Sequence, residues 1–224
     1  EGCGPLGLFV SPGAMGIYLG GLLSVRTALP GALFWMGLLA LGAALALAGR
    51  DVFRMPLSLE LEGGPEDLPP LICLFVVVLL RSLLGNLFAF PWKGELGLLL
   101  ACAVVGGKAA GGLLADRFGR MRTAWISLAL AVPCFLFSEG AVLGLTAVCL
   151  FNMTMPLTLW GAARYLRGAG GLAFGLLTFA LFLGVLPVLL GVPLPAGGAV
   201  PCAAGAACSL PLLVLGLRRA ARRC

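Results

Sequence analysis

The stretch LICLFVVVLLRSLLGNLFAF, Leu71 to Phe90, runs for 20 residues with a single charged side chain, Arg81. Coiled as a helix at about 1.5 Å per residue it is roughly 30 Å long, the thickness of a bilayer's hydrocarbon layer. It lacks the apolar–polar alternation of a barrel strand and is too long for one. A helix closes its own backbone hydrogen bonds, so it is the form in which such a run can lie in lipid.

Seven further runs of the same kind flank it, at about 6–25, 29–49, 96–115, 122–138, 140–160, 169–191 and 197–217. The expected fold is therefore all-α and integral to a membrane, with eight transmembrane helices. Composition agrees: 61% of the residues are hydrophobic, 11% are charged, and mean hydropathy is +1.10. A soluble domain carries about 25% charged residues. No single soluble core of this size hides so much apolar surface, so the lipid bilayer is the first partner.

One connection is long and polar. Residues 50–70, RDVFRMPLSLELEGGPEDLPP, combine acids, arginines, Gly63-Gly64 and prolines. They read as a linker over 51–70 that divides two helices (1–50) from six (71–217), with a basic tail at 218–224.

The basic residues mark the topology. With the C-terminus inside, the inner loops hold 11 of them (Arg50, Arg54, Arg117, Arg120, Arg122, Arg164, Arg167, Arg218, Arg219, Arg222, Arg223) and the outer loops hold Arg26 and Lys93. This bias places both termini in the cytoplasm. A net charge of +6 distributed this way is a membrane signature and gives no reason to invoke nucleic acid. The chain opens at Glu1 without an initiator methionine or a basic leader, so the expectation is a fragment whose beginning lies upstream.

Chemistry is sparse. The eight cysteines are scattered, mostly in apolar runs, with no C-x-x-C pair and no histidine. A zinc site is not expected, and the thiols read as small hydrophobes. There is no nucleophile–base pair or paired intramembrane carboxylate, so the expectation is a non-enzyme without metal or cofactor.

Between the fourth and fifth runs stands Gly112-Leu-Leu-Ala-Asp116-Arg117-Phe-Gly119-Arg120-Met-Arg122. Gly112 lets two helices approach closely. Asp116 stands where one helix stops, placed to cap a neighbouring helix N-terminus or to pair with a cation. Gly119 permits a tight reversal, and Arg120 and Arg122 lie at headgroup depth.

This pattern resembles the signature loop of the major facilitator superfamily, which joins the second and third helices of each six-helix half. The resemblance implies a cytoplasmic latch, built from Asp116, Arg117 and Arg120, that is made and broken as two halves rock. It also implies that 71–217 is the C-terminal half of a twelve-helix bundle. Residues 6–49 would then be the fifth and sixth helices of the other half, with four helices, or a second copy of the chain, needed to complete it. Leu80-Arg81-Ser82, Phe90-Pro91-Trp92-Lys93, Gly107-Lys108, Asn152-Met153-Thr154-Met155-Pro156 and Ala173-Phe174-Gly175 are similar to bacterial efflux proteins of the fosmidomycin-resistance type, which implies a bacterial plasma membrane.

Two cations lie inside runs. Arg81 is about 15 Å into its expected span, where an arginine costs roughly 2.5 to 3.5 kcal/mol. None of the nine acids reaches that depth. Its partner is then a helix carbonyl, water, an acid outside this chain, or a bound anion. Lys108, about two turns before Asp116, and Asn152, before Pro156, complete the expected substrate-binding set. Gly107, Gly111 and Gly112 form a flat packing face. The function expected is a secondary transporter moving a small, anionic organic solute by alternating access. A structural or regulatory membrane protein, or the remnant of a transporter gene, is the alternative.

Overall fold

A computed structural model describes residues 2–26, 29–47, 64–87, 90–192 and 198–222. Among them there are helices and turns and no strand. The α-helices are α1 (Cys3–Val10), α2 (Pro12–Arg26), α3 (Leu29–Leu47), α4 (Leu68–Leu87), α5 (Gly97–Phe118), α6 (Arg120–Leu136), α7 (Ala141–Asn152), α8 (Thr154–Tyr165), α9 (Gly170–Leu189) and α10 (Ala199–Arg222). Short 3-10 turns at Pro65–Asp67 and Pro91–Lys93 precede α4 and α5.

Two expected runs are broken by proline. The run at 6–25 is α1 and α2, divided at Ser11 before Pro12, which has no N–H to continue the ladder; the Ser11 hydroxyl donates to the Gly7 carbonyl at 2.6 Å. The run at 140–160 is α7 and α8, divided at Met153 and extending to Tyr165. Pro156 in the first turn of α8 offers no N–H to the Asn152 carbonyl.

Among the described residues six helical segments are long and apolar enough to cross a membrane: Cys3–Leu22, Leu68–Asn86, Gly97–Phe118, Ala141–Tyr165, Gly170–Leu189 and Ala199–Ala221. The expected eight are not reached on this measure. At 17 residues α6 is about 25 Å long, short of the hydrocarbon thickness, and the apolar stretch of α3, Trp35–Ala44, is shorter still. Two boundaries also move. Residues 68–70, assigned to the linker, open α4, because prolines suit a first helical turn. The tail from 218 continues α10 to Arg222. Linker residues 51–63 lie outside the described residues, as do Arg50 and Arg54.

The α7–α8 segment is the axis of the bundle. Every residue from Thr154 to Ala162 is buried. Around it α4 packs on α9 and α10, α10 on α6, and α5 on α7, while α1 lies against α5 and α8. Small residues set these distances: a Cβ at Gly107 or Gly111 would run into the backbone of Cys149 or Met153, and one at Gly184 into α4. Without a hydrophobic drive between helices in lipid, this close backbone packing is a main source of association.

One end of the bundle gathers arginines. Asp116, Phe118 to Arg122, Trp160, Leu217 and Ala221 line a common cleft there, and Arg219 donates to the Glu66 carbonyl at 2.8 Å. The opposite end is closed by the α4–α5 connection. Phe90 and Trp92 stack with ring centroids 5.4 Å apart, and Trp92 Nε1 donates to the Ser138 carbonyl at 2.8 Å.

Candidate functional site

The Gly112–Arg122 stretch folds as its residue types direct. Helix α5 ends at Phe118, Gly119 takes φ +94°, and α6 begins at Arg120, so the two helices reverse through one residue. That left-handed φ suits glycine alone. The Gly119 N–H closes α5 on the Ala115 carbonyl at 3.1 Å, and its carbonyl accepts the Thr123 N–H at 3.0 Å to open α6.

Asp116 reaches across to α1. Its carboxylate accepts the backbone N–H of Cys3 at 2.6 Å and of Gly4 at 2.7 Å. Those are two of the donors that the start of a helix leaves unmet, and the carboxylate's charge opposes the positive helix end. Gly112 makes the approach possible: a Cβ there would strike the Cys3 carbonyl and Gly7 Cα. Glycine, aspartate and helix start therefore form one device.

Arg120 turns the other way. Its guanidinium carbon lies 3.9 Å from the centroid of the Trp160 ring, with that of Arg164 at 5.3 Å, and it stands within electrostatic reach of Cys3. Arg117 is exposed beside Phe118, 5.7 Å from its ring centroid, and Arg122 is exposed at the cleft. The loop's acid thus engages α1, while its cation Arg120 engages both α1 and α8.

Deep in the bundle Arg81 is 5% exposed. One guanidinium nitrogen donates to Thr154 Oγ1 at 2.9 Å and another to Met155 Sδ at 2.6 Å. Thr154 in turn donates to the Phe151 carbonyl at 2.8 Å, where α7 gives way to α8. Among the described residues no carboxylate contacts Arg81. A hydroxyl and a thioether are neutral, weak acceptors for a guanidinium, so among the described residues its positive charge has no counter-charge in contact.

The longer α4 places Arg81 about 20 Å from its first residue, nearer the Trp92 end than the expected run suggested. Lys108 lies at the middle of α5, about two turns before Asp116 as expected, half-buried and within electrostatic reach of Arg81. Asn152 does not join them: its amide donates to the Val148 carbonyl of its own helix at 2.9 Å. Asn86, at the edge of α4, likewise bonds its own helix at Ser82.

Thr154 and Met155 as the Arg81 partners, and Trp160 as the platform for Arg120, are contacts between distant segments. The Trp160–Arg164 spacing of four on a helix was the available signal for the second. Among the described residues no group of three or more His, Cys, Asp or Glu is placed to hold a metal ion. No family model matches the chain, and no curated protein or solved structure matches it either.

Proposed function

We propose that the chain is part of an alternating-access secondary transporter of the major facilitator type, carrying a small organic anion across a bacterial plasma membrane. The observation that carries this reading is the bond from Asp116 to the start of α1. It joins the bundle after the polar linker to the helices before it, through a surface carboxylate on two backbone donors, a contact that water can replace. Such a contact is fit to be made and broken repeatedly.

In this reading α1–α3 are the last two spans of one half and α4–α10 the six spans of the other, both termini face the cytoplasm, and four further helices or a second copy complete twelve. Asp116, Arg117 and Arg120 form the latch, with Gly112 and Gly119 giving it shape. Arg81 and Lys108 supply positive potential to a cavity between the halves, the usual place for a transported solute. Asn152, whose amide is spent on its own helix, is the weaker candidate.

The test is uptake of a labelled organic anion into proteoliposomes holding the full-length protein, its Arg81→Gln variant and its Asp116→Asn variant. The reading expects uptake above empty liposomes, reduced at least about tenfold in Arg81→Gln, the effect of losing one charge-assisted contact. Unchanged uptake in Arg81→Gln would remove the anion site. No uptake of any solute by the wild type would leave a structural or regulatory membrane role.

A further inference from the structure

The cleft at the Arg-rich end has a volume of about 500 Å³ and is lined by Asp116, Gly119, Arg120, Arg122, Trp160 and Leu217 among others. That size falls within the range of small-ligand sites. Helix α6 opens into it at Arg120, and no side chain caps the helix. The first backbone N–H groups of a helix lack partners within it and carry its positive end.

Two side-chain donors in the same wall are also unmet. Among the described residues Arg120 Nε and Trp160 Nε1 are buried with no hydrogen-bond partner, and Trp160 as a whole is 2% exposed. Buried donors are seldom left without an acceptor. Asp116 does not serve them, because its two oxygens accept from Cys3 and Gly4. Arg120 spends its face on the Trp160 ring, and among the described residues no carboxylate pairs with its charge.

The wall therefore brings together a helix N-terminus, an indole N–H, a guanidinium N–H and the nearby charge of Arg122, while its one carboxylate among the described residues, Asp116, is engaged by Cys3 and Gly4. We propose that this cleft binds a phosphate group, either the headgroup of an anionic phospholipid or a soluble phosphate. A tetrahedral oxyanion presents acceptors in several directions, which suits donors on both α6 and α8 better than a planar carboxylate does. The site goes beyond the transport reading and does not depend on it.

The test uses the full-length protein in phosphatidylcholine nanodiscs with and without phosphatidylglycerol, with native mass spectrometry counting the anionic lipid retained. Inorganic phosphate is added in a parallel arm as competitor. Retention falls roughly tenfold when Arg120→Gln and Arg122→Gln are combined, and several-fold in Trp160→Phe, which keeps the ring and removes the donor. It is unchanged in the combined Arg117→Gln and Arg218→Gln variant, whose arginines lie outside the cleft wall. Displacement by inorganic phosphate assigns the site to the soluble ion, and resistance to it assigns the site to lipid. Equal loss in the Arg117/Arg218 variant, or no loss in Trp160→Phe, overturns the proposal. Should the Arg120 variant fail to fold, Trp160→Phe and Arg122→Gln alone decide.

Discussion

Asp116 Oδ1 accepts the backbone N–H of Cys3 at 2.6 Å, joining residues 113 positions apart. Its other oxygen takes the Gly4 N–H, so one side chain caps a helix from a different part of the chain. Asp116→Ala removes both acceptors and the favourable charge, and is expected to cost about 1 kcal/mol. Asp116→Asn keeps one acceptor oxygen and loses about half of that. Thermal unfolding of the purified protein in detergent measures both. Equal melting of Asp116→Ala and wild type would mean that the cap contributes nothing to stability.

Close approach at Gly112 is testable separately from the charge. A methyl group there meets backbone atoms of Cys3 and Gly7, which cannot rotate away, whereas one at Gly106 meets nothing within 4 Å. Gly112→Ala is expected to destabilise by roughly 1 to 3 kcal/mol, and Gly106→Ala to be neutral or to gain up to about 1 kcal/mol from helix propensity. The pair is read in the same melting assay. A loss in Gly106→Ala matching that in Gly112→Ala would show that the effect is not contact with α1.

These two residues also show what a sequence discloses. That Gly112 lies at a close contact, Asp116 at a helix end and Gly119 at a reversal follows from side-chain size, charge and the rarity of positive φ, which are local properties. The long apolar runs are legible for the same reason, since length and hydropathy decide whether lipid can solvate a helix. Partners are a different matter. Thr154 and Met155 lie 73 and 74 positions from Arg81 and meet it only because the α7–α8 segment runs through the middle of the bundle. The breaks at Ser11 and Met153 were hidden in apolar runs, since membrane helices often carry proline without parting. For Trp160 the spacing to Arg164 was only an indirect signal of Arg120, because a tryptophan in an apolar run reads first as core.

Trp92 ties the α4–α5 connection to the α6–α7 turn. It is 7% exposed, donates to the Ser138 carbonyl and fills a notch beside Gly144 that a Cβ would close. Trp92→Phe keeps most of the volume and loses the donor, an expected cost of about 1 kcal/mol. Trp92→Ala also empties the notch and should cost roughly 3 to 5 kcal/mol. Hydrogen exchange at residues 136–144 is the sharper readout, with faster exchange in both variants. Protection equal to wild type in Trp92→Ala would show that the indole does not hold this turn.

Lys93 lies outside the spans, at the same end, and donates to the Gly85 carbonyl at 2.7 Å. Burial pushes its pKa below the ordinary 10.5, an effect the nearby Cys202 thiol opposes. Between the lowered folded value and 10.5 the unfolded chain holds more protons than the folded one, so stability rises with pH across that window. The melting temperature in zwitterionic nanodiscs is therefore expected to climb toward pH 10.5, and Lys93→Met to lose that part of the climb. A profile for Lys93→Met that parallels wild type would assign the alkaline rise to other groups.

Arg81 separates function from stability. A guanidinium held by a hydroxyl and a thioether, with no carboxylate among the described residues in contact, is an expensive group to keep in the interior of a membrane bundle. If its purpose is structural, its removal unfolds the α7–α8 break it spans. If its purpose is to meet an anion, an apolar side chain of similar length relieves the desolvation cost and leaves the fold intact, as replacing buried charges often does. Arg81→Met is therefore expected to melt at or above the wild-type temperature while losing anion uptake, and Thr154→Val to lose less than about 2 kcal/mol. Arg81→Lys keeps the charge without the planar fork and should retain a weak, salt-sensitive uptake. A marked drop in the melting temperature of Arg81→Met would reverse the assignment, making the arginine a brace for the broken helix.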